Sequence, residues 1–561
     1  MPRTSTLLIG IALFGWFALS PTMGSAEGES RADLMKAHRG GSVRMVSKAA
    51  LGTLDPQISY SQLYWQLFQS VYDGLVAFKK GAGADSTVIV ADLAEAMPKV
   101  ENGGKTYVFQ LRRGIRFSNG QELTTDDVLA SFQRLYKVSS PTSGSFFQNI
   151  VGADACIETP ETCTLDGGVV VDKAAYTVTI NLTAPDAEFL DKLATPHASI
   201  LPADTPLHDT GTDPVPGTGP YMFQLYDPNK TLTWVRNPHF KEWSEEAQPD
   251  GFIDDFRLDF GLAEEAQINA VINGQADLMI DAPPTDRLVE LGTRYADQVH
   301  ITPQAAFWYI PLNVNLPPFD NLKARQALAY AVDLRSPVNF FGGRNLATPT
   351  CQVLPKGFPG YKPFCFYTKT PGEKWAGPDL ARAQQLIEDS GTKGQKVTVV
   401  VEDSDLSRNV GQYLQSLLTQ LGYDTSLSAM SQNIHYTYIQ NTNNKVQISV
   451  TQWYQDYPAA ANFLNVLLGC GSFRPGSDSS PNISGFCDKA LQAKMDQAMT
   501  LALTDEAAAN ELWSEIDREM MEQVPLVPLF NPSHVDFMSK RVGNYMFSSL
   551  YQWVYANSWV Q

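Results

Sequence analysis

Three observations predict an α/β chain folded as two lobes around a hinged cleft. At 561 residues the chain exceeds what a single hydrophobic core organises, so two or more lobes are expected, each able to bury a core of its own. Strand-turn-helix units recur along the chain, which mixes the two element types throughout. Two extended, proline-marked segments, "FWYIPLNVNLPPFDN" (307–321) and "EQVPLVPLFNP" (522–532), begin about 215 residues apart. That spacing suggests a second lobe inserted into the first, with the chain passing twice over the floor of a cleft. Composition agrees with a globular protein: 43% apolar, 11% aromatic and 18% charged residues. The net charge of −18, with no basic run to offset it locally, repels phosphate backbones and excludes nucleic acid as a partner.

The elements follow in order. Arg3, an apolar run from Leu7 to Leu19 and the small residues Gly24-Ser25-Ala26 read as a cleavable secretory signal peptide over 1–26. Its apolar core is too short to span a membrane, and no Cys follows it to carry a lipid. A polar, flexible mature N-terminus is expected over 27–39, and the alternation in "GGSVRMVS" then opens the fold as a strand. Pro56 breaks the pattern at "LGTLDPQIS". From Ser61, a plausible N-cap, Leu63, Leu67, Phe68 and Val71 recur at helical spacing toward a stop at Gly74, with Tyr60, Tyr64 and Trp65 crowding the helix start. In "KTYVFQLRRGIRFSNGQELTTDDVLASFQRL", Tyr107, Phe109 and Leu111 alternate as in a half-buried strand. "SNGQ" then turns the chain, and Thr124 or Thr125 caps a helix whose Asp126 and Asp127 suit its N-terminal dipole. "KAAYTVTINLTAPDAEFLDKL" and "KVTVVVEDSDLSRNVGQYLQSLLTQLGY" repeat this logic.

Export makes the cysteines readable. Cys156 with Cys163, Cys351 with Cys365 and Cys470 with Cys487 bracket loops rich in Gly, Pro, Ser or Thr. Nearest-neighbour disulfides are therefore expected, although six cysteines allow 15 connectivities. No C-x-x-C occurs and no two histidines stand at ligand spacing, so neither a metal nor another cofactor is expected. G-x-S-x-G, H-E-x-x-H and P-loop motifs are absent, and the chain reads as a non-enzyme. A secreted hydrolase using a carboxylate pair is the rival class.

One stretch stands out. In "SVTQWYQDYPAAANFL" the acid Asp456 sits among Trp453, Tyr454 and Tyr457, after an apolar strand-like run and before an Ala-rich one. An acid in such company is either a counter-charge for a cation or an exposed loop residue.

The segment "TYVFQLRRGIRFSNGQELTTDDVLASFQRL" resembles the signature of the family 5 extracellular solute-binding proteins, the peptide, nickel and opine receptors of ABC transporters. Further matches run in family order: "LDPQ", "VYDGLV", "GTGPYMF", "LNVNLPPFDNLKARQALAYAVD" and "VPLVPLF". The resemblance implies a two-lobed periplasmic-binding-protein fold of type II, similar to cluster C, which closes by hinge motion. Lobe I would span 40–307 with 525–561, including an extra subdomain near 73–210, and lobe II 308–524. It also implies a monomeric periplasmic receptor that captures a short peptide or amine-bearing solute for a membrane permease. An oligosaccharide or opine receptor is the alternative on the same fold. By resemblance, Asp456 would bind an α-ammonium, in the W-x-x-D pattern of Trp453 and Asp456 followed by Pro458 and Asn462-Phe463-Leu464. Trp453, Tyr454 and Tyr457 would wall the pocket, with Tyr60 and Trp308 contributed by the facing lobe and hinge. Two departures matter. Ala459 and Ala460 replace the Asp-Pro that often follows in the family. The loop where dipeptide receptors hold the ligand carboxylate with a basic residue reads "VEDSDLSRN", in which only Arg408 is basic. Either Arg408 does that work or the ligand has no carboxylate there; the loop's acids otherwise serve to cap the following helix.

Overall fold

The computed structural model describes residues 30–50 and 52–561; the signal peptide expected over 1–26 lies outside them. Its largest sheet runs in the order Thr451–Tyr454, Ala306–Pro311, Leu526–Met538, Leu278–Met279, Ser42–Val46, Asp255–Asp259, Thr231–Arg236, Tyr221–Asp227. Ser42–Val46 alternates buried and exposed residues at its start, as its sequence requires, and pairs in parallel with neighbours on both sides. The two proline-marked crossings meet side by side: Ala306–Pro311 pairs antiparallel with the first part of Leu526–Met538, while the second part pairs with Val299–Pro303 and Leu278–Met279. Both are fully or largely buried, which explains why they read as apolar runs rather than alternating ones.

A second, parallel sheet of three strands holds Lys396–Glu402 between Asp424–Met430 and Ile448–Ser449. The helix Asp405–Leu421 connects the first two, and its Val410, Leu414, Leu417 and Leu418 pack in one core with Val397, Val399 and Val401. A separate antiparallel sheet, Lys99–Glu101, Thr106–Gln110, Thr177–Asn181 and Val169–Asp172, accompanies the helix Thr125–Lys137. Thr124 caps that helix, its backbone N–H donating to the Asp127 carboxylate at 2.7 Å. One apolar cluster joins this sheet's core to Phe307, Tyr309, Trp453 and the helices Ala460–Leu468 and Glu506–Gln523, so the two halves of the molecule are in contact.

Two stretches differ from the sequence pattern. The described part of the N-terminal stretch, expected as a polar, flexible segment, contains a helix, Arg31–His38, with Ser30 at its N-cap. Arg31 fastens it by donating to Asn557 Oδ1 at 2.9 Å and to the Asp250 carbonyl, and His38 stacks on Trp559. The helix after Ser61 ends at Phe68 rather than Gly74. Its continuation is diverted because the carbonyls of Ser70 and Val71 accept from the backbone N–H groups of Tyr221 and Gly219. Gly217 and Gly219 permit that approach, since a Cβ on Gly217 would lie 2.0 Å from the Val71 carbonyl oxygen. The six cysteines form Cys156–Cys163, Cys351–Cys365 and Cys470–Cys487.

Candidate functional site

The strand Thr451–Tyr454 sorts its side chains by parity. Gln452 and Tyr454 face a cavity of about 620 Å³, together with Trp308 of the crossing strand. Trp453 packs on the opposite side with Phe307 and Tyr309. The volume falls in the range of small-solute sites. The cavity draws its walls from the N-terminal region (Gln62, Leu63), both crossing strands and the 402–409 segment, so it lies between the two halves.

Asp456 lies two residues past the end of the strand and is not on the wall of this cavity. Its Oδ2 accepts from the Tyr60 hydroxyl at 2.7 Å and from Asn462 Nδ2 at 2.7 Å, while its backbone N–H donates to Asn462 Oδ1 at 2.8 Å. Tyr60 meets the Trp453 ring edge-on at 5.8 Å, and Trp453 Nε1 donates to the Asn462 carbonyl. Burial pushes the Asp456 carboxyl up to about 7, against the opposing pull of its bonds to Asn462 and Tyr60. Among the described residues no cation pairs with it. Close by, the hydroxyls of Tyr309 and Tyr436 are buried with no hydrogen-bond partner among the described residues, and burial together with the neighbouring Tyr309 and Asp456 raises Tyr436.

The structure thus brings Tyr60, Trp453 and Asp456 into one cluster and sets Trp308 and Tyr454 on the cavity wall. Tyr457 and Arg408 do not join them. Tyr457 is buried against Phe146, ring centroids 5.4 Å apart, with Glu188 beside its hydroxyl. Arg408 stays outside the cavity because it pairs with its own neighbour Asp403. The acidic loop does cap its helix, Ser404 accepting from the Ser407 N–H, but Glu402, Ser404 and Asp405 also line the cavity. Asn462 was visible in the sequence only as part of "NFL", and nothing in the sequence marks Tyr309 or Tyr436 as neighbours of Asp456. Among the described residues no cluster of His, Cys, Asp and Glu is arranged to hold a metal ion, and no helix is long and apolar enough to cross a membrane.

A two-lobed fold with a solute-sized cavity at its crossing strands, and an uncompensated acid beside it, defines a solute-binding protein. The chain belongs to the bacterial extracellular solute-binding proteins of family 5, whose middle region it matches over residues 88–474. It is similar to di/tripeptide-binding protein 1 of Pseudomonas aeruginosa, 26% identical over 513 residues covering 86% of this chain and 87% of that protein. Its fold is that of the clavulanic acid biosynthesis oligopeptide binding protein 2, with a TM-score of 0.80 at 23% identity over 93% of this chain and 96% of the other. It also matches the periplasmic binding protein DppA of Helicobacter pylori in complex with the peptide STSA, with a TM-score of 0.79 at 19% identity over 95% of this chain and all of the other.

Proposed function

We propose that the protein is the substrate-binding component of an ABC importer, capturing a short peptide or another amine-bearing solute in the periplasm and delivering it to permease subunits. The observation that carries this reading is Asp456, an acid held by neutral donors on one oxygen with no cation among the described residues to answer its charge. A buried charge is costly unless paired, so a ligand ammonium arriving at this carboxylate supplies what the free protein lacks. The orphaned hydroxyls of Tyr309 and Tyr436 support the same place for a polar ligand end. The rest of the solute would occupy the cavity, which begins within two residues of Tyr60 and of Asp456 along the chain, at Gln62 and Tyr454. In this reading 40–307 with 525–561 and 308–524 are the moving lobes, 73–210 is the subdomain of the first, and the crossing strands are the hinge.

The decisive experiment pairs native mass spectrometry of the purified protein, to identify what it releases, with a substitution. Asp456→Asn keeps the shape but removes the charge, so binding of free-amine peptides should weaken at least about tenfold, equivalent to about 1.4 kcal/mol. N-acetylation of the peptide should reproduce the loss on the unaltered protein. Equal binding of free and acetylated peptide would sink the assignment of Asp456, and release of a sugar alone would replace the peptide reading.

A further inference from the structure

We infer that the cleft selects solutes whose far end is cationic, and rejects the free carboxylate that an ordinary short peptide would present there. This rests on the reading of the cleft as the solute site and names the ligand chemistry that site takes.

Among the described residues six carboxylates line the cavity, Glu264, Asp281, Asp286, Glu402, Asp405 and Asp536, and no lysine or arginine does. His534, the one basic side chain on the wall, is already bonded to Asp536 at 2.9 Å. Some of this charge is answered from within the protein. Lys48 pairs with Glu264 at 3.1 Å and donates its backbone N–H to Asp281, Gln432 donates to Glu402 at 2.8 Å, and Tyr545 donates to Asp536. Asp286 and Asp405 have no side-chain hydrogen bond or ion pair among the described residues. That leaves a wall short of positive charge even after Lys48 is counted.

The positive end of the helix Asp405–Leu421 also points toward this loop and would, left bare, favour an anion. It is not bare: Ser404 accepts from one first-turn N–H and Asp405 supplies a full negative charge in the first turn, outweighing the fractional charge of the helix end. Arg408, the basic residue nearest this point in sequence, is outside the cavity and tied to Asp403. A ligand carboxylate therefore meets two acids of the loop, where the cation in electrostatic range is Lys48, already paired with Glu264 and shared with Asp405 and Asp281, whereas a Lys or Arg side chain, or a second amine, meets complementary charge in a walled cleft where screening is weak. Trp308, only 6% exposed and on the wall, has a buried indole Nε1 with no partner among the described residues; as a donor it would suit a carbonyl of the ligand and does not bear on the sign of the ligand's charge.

The test is a charge series measured by calorimetry on the full mature protein, using the tripeptides Ala-Ala-Ala, Ala-Lys-Lys and Ala-Glu-Glu, C-terminally amidated Ala-Lys-Lys, and spermidine. The expected order is amidated Ala-Lys-Lys, Ala-Lys-Lys, Ala-Ala-Ala, Ala-Glu-Glu, with at least about tenfold between the lysine and glutamate peptides and a gap that narrows as salt rises. Glu402→Gln combined with Asp405→Asn should shrink that ratio, and since a ratio is read, a general loss of affinity does not mimic the result. Peptides bound with equal affinity whatever their charge, or Ala-Glu-Glu bound best, would overturn the inference while leaving the receptor reading in place. Binding of spermidine with no peptide bound would uphold the charge preference and remove the peptide reading. No binding by any member of the series would overturn both.

Discussion

Arg134 uses all five of its donors inside the protein. Its guanidinium meets both oxygens of Asp55, at 3.0 and 2.5 Å, the Gln57 amide oxygen, and the carbonyls of Pro206 and His208. Both members of the pair are buried. The "LDPQ" turn and the helix of the "DDVLASFQRL" segment are legible as separate motifs, but their contact across 79 residues is not, because nothing in a linear pattern says which buried acid a buried base will find. A planar fork with every N–H satisfied is also the geometry a lysine cannot reproduce. Arg134→Met should therefore cost about 3–5 kcal/mol by stranding Asp55 uncompensated, with Arg134→Lys recovering little. Chemical denaturation of the two variants checks this, and a loss under about 1 kcal/mol in Arg134→Met would mean that Asp55 finds other partners.

At the level of elements, what could be read depended on whether the signal was local. The helix Thr125–Lys137, its cap at Thr124, and the strand Thr106–Gln110 follow from nearest-neighbour chemistry and stand where their residues indicate. The end of the helix that begins after Ser61 did not, because the carbonyls that stop it are claimed by a segment about 150 residues away. The same division holds at the candidate site. Trp453 and Asp456 are contiguous and could be singled out, whereas the parity that turns Tyr454 to the cavity and Trp453 away, and the arrival of Tyr60, Tyr309 and Tyr436 around the acid, are properties of the pairing between distant strands. The bridge Cys470–Cys487 works at this scale too. It closes a 17-residue span that holds Arg474 against Gly144 of the other half of the molecule. Replacing both cysteines by serine should lower stability by about 3 kcal/mol in the chain-entropy account. The urea midpoint measures it, and an unchanged midpoint would show that the loop is held by its packing alone.

Across the whole molecule, buried ionisable groups set how stability responds to pH. Burial raises Asp456, Glu188 and Asp191 to about 7 and Asp517 to about 6, and raises Asp73 and Asp92 as well, so between roughly pH 4 and 6 the folded chain holds protons on carboxyls that the unfolded chain has released. Two buried histidines work the other way: desolvation lowers His197 to about 3 and His435 to about 4, so the unfolded chain carries two protons there below about pH 6.5 that the folded chain refuses. With His300 lowered too, the raised carboxyls still outnumber the lowered histidines, so the folded state holds the larger proton count from roughly pH 4.5 to 6, and stability falls wherever the native state binds more protons and pH rises. The thermal midpoint of the ligand-free protein should therefore be higher at pH 5.5 than at pH 8. Asp456→Asn should flatten that slope, since an amide holds no proton to lose. A bound ammonium acts on the same group from the other side, because it needs the carboxylate ionised. Affinity for a free-amine ligand should fall by up to about tenfold per pH unit below 7, while an acetylated ligand should show no such slope. Parallel pH profiles for the two ligands would show that Asp456 is ionised throughout and takes its charge balance from elsewhere, and a midpoint that climbs from pH 5.5 to 8 in the unliganded protein would overturn the stability prediction.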